Sequence, residues 1–97
     1  MVRHIVIWNL KEEADGRAKA ENAAIIKERL EALVGQIPGL LKVEGRPLFQ
    51  GGMDFILYSE LESKDALAVY ADHPLHSAAK EKFFHLMSSR VAADYEV

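Results

Sequence analysis

Among the four histidines and three tyrosines of this 97-residue sequence, Tyr70, His76 and His4 are the ones placed to move protons together. Tyr70 lies on an apolar stretch that ends at Pro74, and His76 follows just after that proline. A tyrosine on the buried stripe of one helix and a histidine in the first turn of the next converge across such a break. The imidazole accepts a proton; the tyrosine hydroxyl donates or orients one. An aldol-type ring closure or an enolisation needs little more than this pair in a dry apolar cavity. The same residues also have a structural reading, in which Tyr70 packs the core with its hydroxyl at the rim and His76 bonds a backbone carbonyl. His4 sits among Val6, Trp8 and Leu10 on one strand face, either as a pocket-lining base or as a neutral core histidine held by one partner. It approaches the other two only if that face turns towards the helices.

A second set has the size and apolar character to hold a ligand. Trp8, Phe55, Phe83 and Met87 line a cavity or simply fill a core. His73 precedes Pro74, where it caps the following helix or joins the ligand wall. His73, His76 and His4 together are a weak metal set. No thiol or obvious carboxylate joins them, and their spacing is not that of a zinc-protease helix. Neither a metal nor another cofactor is expected. Gly51 and Gly52 lead into a strand instead of a helix, so they make no phosphate loop. His85 falls with Glu81 and Ser88 on the polar side of its predicted helix and reads as solvated surface.

Composition narrows the classes. One domain over residues 1–97 is all that this length supports. Twelve basic and fifteen acidic residues give a formal charge of −3 with no basic block, which disfavours nucleic acid as a partner. There are no cysteines, so disulfides, thiolate zinc sites and a cysteine nucleophile are excluded. No apolar run approaches the roughly 20 residues of a membrane helix, and the N-terminus lacks a signal-peptide pattern. The default is a soluble cytoplasmic protein with no membrane partner.

The elements that must position these residues follow from hydrophobic period. Arg3–Leu10 alternates as a strand, with Ile5 and Ile7 on one face and His4, Val6, Trp8 and Leu10 on the other. Lys11–Gly16 is turn-like, with Asp15 a predicted N-cap. Ala23, Ile26, Leu30, Leu33 and Ile37 then mark one stripe of a helix over Arg17–Ile37, which Gly35, Pro38 and Gly39 end. Lys27 and Glu31 form a surface pair on it. Leu40–Phe49 reads as a second strand, with Gly45 and Pro47 indicating a bulge or an edge position. Met53–Leu61 reads as a third. Ser63 caps a short helix containing Tyr70, Pro74 opens another that runs to about Ser88, and Arg90–Val97 alternates as a last strand. The order is an α+β, ferredoxin-like βαββαβ with a four-stranded antiparallel sheet. Helices cover only one sheet face, yet both faces carry apolar residues. A second copy of the chain is the simplest cover, which would make a homodimer in the form of a dimeric α+β barrel.

Several segments together resemble the stress-responsive α/β-barrel domain (Dabb) family: Val2-Arg3-His4-Ile5-Val6-Ile7-Trp8, Ile37-Pro38-Gly39, Asp54–Glu60, Tyr70-Ala71-Asp72-His73-Pro74-Leu75-His76, and the closing Arg90-Val91 and Asp94-Tyr95. The resemblance spans essentially the whole chain, and the H-P-x-H segment is its most specific part. It implies a dimeric α+β barrel. It also implies a small protein without assigned chemistry, in some members associated with stress responses, that holds a small apolar or aromatic ligand between sheet and helices. The alternative it implies is a cofactor-independent enzyme, like the polyketide cyclases and quinone-forming monooxygenases of the same superfamily. In the cyclase, residues matching Tyr70 and His76 are the catalytic pair and one matching His4 lines the pocket. Phe55 stands where the cyclase carries a histidine, and the connection Gly45–Gly52 is short. Both departures weaken any transfer of substrate.

Overall fold

The computed structural model describes all residues, Met1–Val97. Its strands and helices are β1 (Val2–Leu10), β2 (Glu13–Ala14), β3 (Arg17–Ala18), α1 (Lys19–Glu31), β4 (Leu40–Pro47), β5 (Phe55–Leu61), α2 (Lys64–Asp72), α3 (Pro74–Phe83) and β6 (Met87–Glu96). A 3₁₀ turn, Phe84–Leu86, joins α3 to β6. The main sheet has the order β4-β5-β1-β6 and every pairing is antiparallel, so the expected ferredoxin-like βαββαβ is what forms.

Alternation decides which residues meet the helices. Val2, Val6, Trp8 and Leu10 of β1 are buried, as are Phe55, Leu57, Ser59 and Leu61 of β5. Ile26 and Leu30 of α1, Tyr70 of α2 and Phe83 of α3 close over them to make one core. The other sheet face carries Ile5, Ile7, Ile56, Val91 and Tyr95, which no element of this chain covers; Val91 and Tyr95 are 59% and 48% exposed.

The expectations fail in three places. Asp15 does not cap α1. It sits at the tip of the β2–β3 hairpin with φ of 55°, a left-handed conformation that aspartate tolerates better than most residues. Ala18 takes the N-cap, and its N–H donates to Glu21 Oε1 at 3.3 Å. The hairpin is held to the helix by Asn22, which is buried; Asn22 accepts from Arg17 Nε at 2.9 Å and donates to the Ala14 carbonyl at 3.2 Å. Second, α1 ends at Glu31 instead of Ile37. Leu33 and Ile37 stay buried, but on turns that reach Gly39. Gly39 has φ of 82°, and a Cβ there would lie 2.6 Å from Ala66 Cβ, so no larger residue fits. Third, α3 stops at Phe83, not Ser88, and His85 lies in the 3₁₀ turn with its ring against the Asp15 carboxylate. It is exposed, as expected, and it also ties the turn to the hairpin.

Lys27 and Glu31 pair as expected, and they also reach the sheet. Gly45 N–H donates to Glu31 Oε2 at 2.9 Å, and the Gly45 carbonyl accepts from Lys27 Nζ at 3.0 Å. Both backbone groups of this edge-strand residue are thus held by α1. The β4 irregularity lies between Leu40 and Lys42, away from Gly45 and Pro47, which mark the edge position.

Candidate functional site

The Pro74 break brings Tyr70 and His76 together. Ser63 caps α2 by accepting from the Ala66 N–H at 3.1 Å, and Tyr70 then lies on the buried side of the last turn. Pro74 occupies the first turn of α3, where its missing N–H costs nothing. His73 Nδ1 accepts from the Leu75 N–H at 3.1 Å and so caps that helix. His76 then faces Tyr70, with ring centroids 4.3 Å apart. On the sheet side the helix-facing register of β1 brings His4 edge-on to Tyr70 at 6.1 Å.

These three side chains border one cavity of about 40 Å³ between sheet and helices. Trp8, Leu57 and Phe83 form much of its apolar wall, while Lys80, Met87 and Arg90 lie towards solvent. Trp8, Phe83 and Met87 thus border it, Met87 from the start of β6 and not from a helix. Two candidates do not border the cavity. Phe55 is buried one layer away, its ring stacked on Trp8 at 5.7 Å, and His73 is engaged as a helix cap. No group of three or more His, Cys, Asp or Glu side chains is arranged to hold a metal ion.

Sequence reasoning missed Asp94. It is directly opposite His4 in the β1–β6 ladder, and its carboxylate bonds His4 Nδ1. A carboxylate only accepts, so neutral His4 carries its proton on Nδ1 and its lone pair on Nε2. His76 Nδ1 likewise meets the Ala71 carbonyl at 3.3 Å, which leaves its Nε2 unprotonated. Burial is the main cause that pushes the His76 pKa below the ordinary histidine value, and Lys80, His4 and Arg90 push the same way. His76 is therefore neutral at pH 7. The Tyr70 hydroxyl is buried with no hydrogen-bond partner, and burial raises its pKa to about 12. The Trp8 indole N–H is also buried and unpartnered. An oriented imidazole, a neutral tyrosine and a free indole donor thus share one apolar enclosure. That arrangement suits taking a proton from carbon while donating hydrogen bonds to an adjacent oxygen.

The model of one protein family, the stress responsive A/B barrel domain, matches residues 2–97. The chain belongs to that family. An uncharacterised protein of Streptomyces coelicolor is 32% identical over 103 residues, covering 99% of each chain. A crystal structure from Bacteroides fragilis, described as a dimeric protein of unknown function with a ferredoxin-like fold, superposes with a TM-score of 0.85. It is 33% identical, and the match covers 99% of this chain and 95% of that one. A hydroxynitrile lyase from Passiflora edulis gives a TM-score of 0.83 at 16% identity over 99% and 92% of the two chains, a likeness of fold alone. Family membership agrees with the resemblance carried by the Tyr70–His76 segment. No helix of the chain is long and apolar enough to cross a membrane.

Proposed function

We propose that this family member is a homodimer whose protomers each perform cofactor-independent acid–base chemistry on a small, largely apolar molecule bearing a carbonyl or hydroxyl. The observation that carries the chemistry is the pairing of a His4 imidazole oriented by Asp94 with a buried Tyr70 hydroxyl that has no partner of its own. The Tyr70 hydroxyl finds no partner within the chain, so beside an oriented base it is open to donate to a ligand. His4 Nε2 takes a proton from the carbon next to a substrate carbonyl. Asp94 steadies the imidazolium that results, and Tyr70 donates to the oxygen on which charge develops. His76 holds the Tyr70 ring from its other side. The dimer forms through the open sheet face, where Ile5, Ile7, Ile56 and Val91 have no cover; the Bacteroides relative, described as dimeric, supports this reading.

Hydrogen–deuterium exchange at the methyl group of acetophenone, followed by NMR in D₂O, tests the chemistry without knowledge of the natural substrate. The wild-type chain should speed exchange beyond an equal concentration of imidazole. Asp94→Asn and Tyr70→Phe should each remove most of that gain, on the order of 10²-fold. Wild-type protein that does no better than imidazole would leave a binding protein, not an enzyme.

A further inference from the structure

The cavity wall carries two cations and no carboxylate. Lys80 projects from α3 and Arg90 from β6, where it stands opposite Trp8 on the helix-facing side of the sheet. Neither makes an ion pair, although most cations of this acidic chain do. The nearest acid of the site, Asp94, is engaged with His4. Leaving two unpaired cations beside an apolar cavity gains nothing for folding, but it raises the affinity of the cavity for an anion.

We propose that the ligand of this site is an apolar carboxylate, an aromatic or short-chain acid, whose charge lies between Lys80 and Arg90 while its apolar body enters towards Trp8 and Tyr70. This deepens the acid–base reading above and rests on it. The same residues account for entry. At about 40 Å³ the closed cavity has room for roughly one water. The side chains on its solvent side, Lys80, Met87 and Arg90, are all long and unbranched, so they swing aside without moving the backbone. Once the acid is seated, the two cations close over its carboxylate. From these positions both cations also oppose protonation of His76, beside the larger effect of burial. A bound carboxylate offsets that field and should raise the His76 pKa.

The test uses 2-naphthoate and its neutral analogue 2-naphthamide at pH 7.5. The signal is the NMR chemical shift of the indole N–H of Trp8, the only tryptophan in the chain and part of the cavity wall. Hydrogen bonds to a charged group are worth enough that the acid should bind at least about tenfold more tightly than the amide. Lys80→Gln with Arg90→Gln should abolish the preference by weakening the acid much more than the amide, with unfolding midpoints confirming that the variant folds. The control is Arg29→Gln with Lys82→Gln. These two cations border a separate groove between α1 and α3, and their loss should change nothing. Equal binding of acid and amide overturns the anion assignment but leaves the pocket standing. So does a preference that survives in the Lys80/Arg90 variant or vanishes in the Arg29/Lys82 one. If neither probe perturbs Trp8 at millimolar concentration, the pocket reading itself fails, and the anion assignment with it.

Discussion

Replacing Tyr70 with phenylalanine separates the hydroxyl from the ring, and the two have opposite effects on folding. The ring is buried between His4 and His76 and stays in the variant. The hydroxyl is buried without a partner, a condition that costs about 1–3 kcal/mol. The adjoining cavity of about 40 Å³ has room for one water, which would return part of that cost. Tyr70→Phe is therefore expected to stabilise the protein by about 1 kcal/mol, or roughly 4–8 °C in Tm for a domain of this size. Most buried substitutions destabilise, so the sign is informative. Thermal and urea unfolding at one fixed protein concentration measure it, since any dimer makes the midpoint concentration-dependent. Alkaline pH supplies a second signature. The Tyr70 pKa is raised from 10.0 to about 12 in the fold, so the neutral hydroxyl is favoured there. That contribution is whole below pH 10 and disappears as pH rises to 12. Two pKa units correspond to roughly 3 kcal/mol. The wild-type chain should lose this amount relative to Tyr70→Phe across that window, because other groups titrate alike in both. A variant less stable by 1 kcal/mol or more at pH 7 would show that the hydroxyl is hydrogen-bonded in the fold. Tyr70 would then be no donor held in reserve for a ligand.

Gly45→Ala should cost about 1–3 kcal/mol in urea unfolding, because the added methyl would lie 2.8 Å from the Phe55 ring and 3.3 Å from the Lys27 side chain. Unchanged stability would mean that the Phe55–Trp8 stack yields easily. Ile7→Glu places a charge on the uncovered sheet face; if the proposed dimer forms there, light scattering should show a folded monomer, with far-UV circular dichroism intact. A dimer that persists would put the interface elsewhere.

Period-two alternation told the faces apart wherever strands were long. His4, Val6, Trp8 and Leu10 separated correctly from Ile5 and Ile7, and the Pro74 break and the Ser63 and His73 caps were readable from residue type alone. Alternation gives a face, however, not a depth. Phe55 faces the helices as read, yet stacks behind Trp8 instead of beside the cavity. The β2–β3 hairpin has two-residue strands, too short for any period to register, so its aspartate looked like a helix cap. Leu33 and Ile37 continued a helical spacing because turns bury side chains as readily as helices do. Asp94 was the costly omission. It stands among polar residues at a sheet edge, and only the register between the first and last strands of the sheet, which depends on the whole fold, puts it opposite His4.

The hold of α1 on Gly45 has a consequence for aggregation. In an antiparallel edge strand, alternate residues turn both backbone groups outward. With Gly45 outward, Val43 and Pro47 share its direction, and proline has no N–H to offer. Of the three outward donor positions on that side, one is occupied by Glu31 and one is absent. The opposite border of the sheet, along β6, has no such guard. Growth of a fibre by strand addition needs two receptive borders on every molecule, one to join and one to be joined. A sheet blocked on one side can join a single neighbour through the other, and there the chain of additions stops.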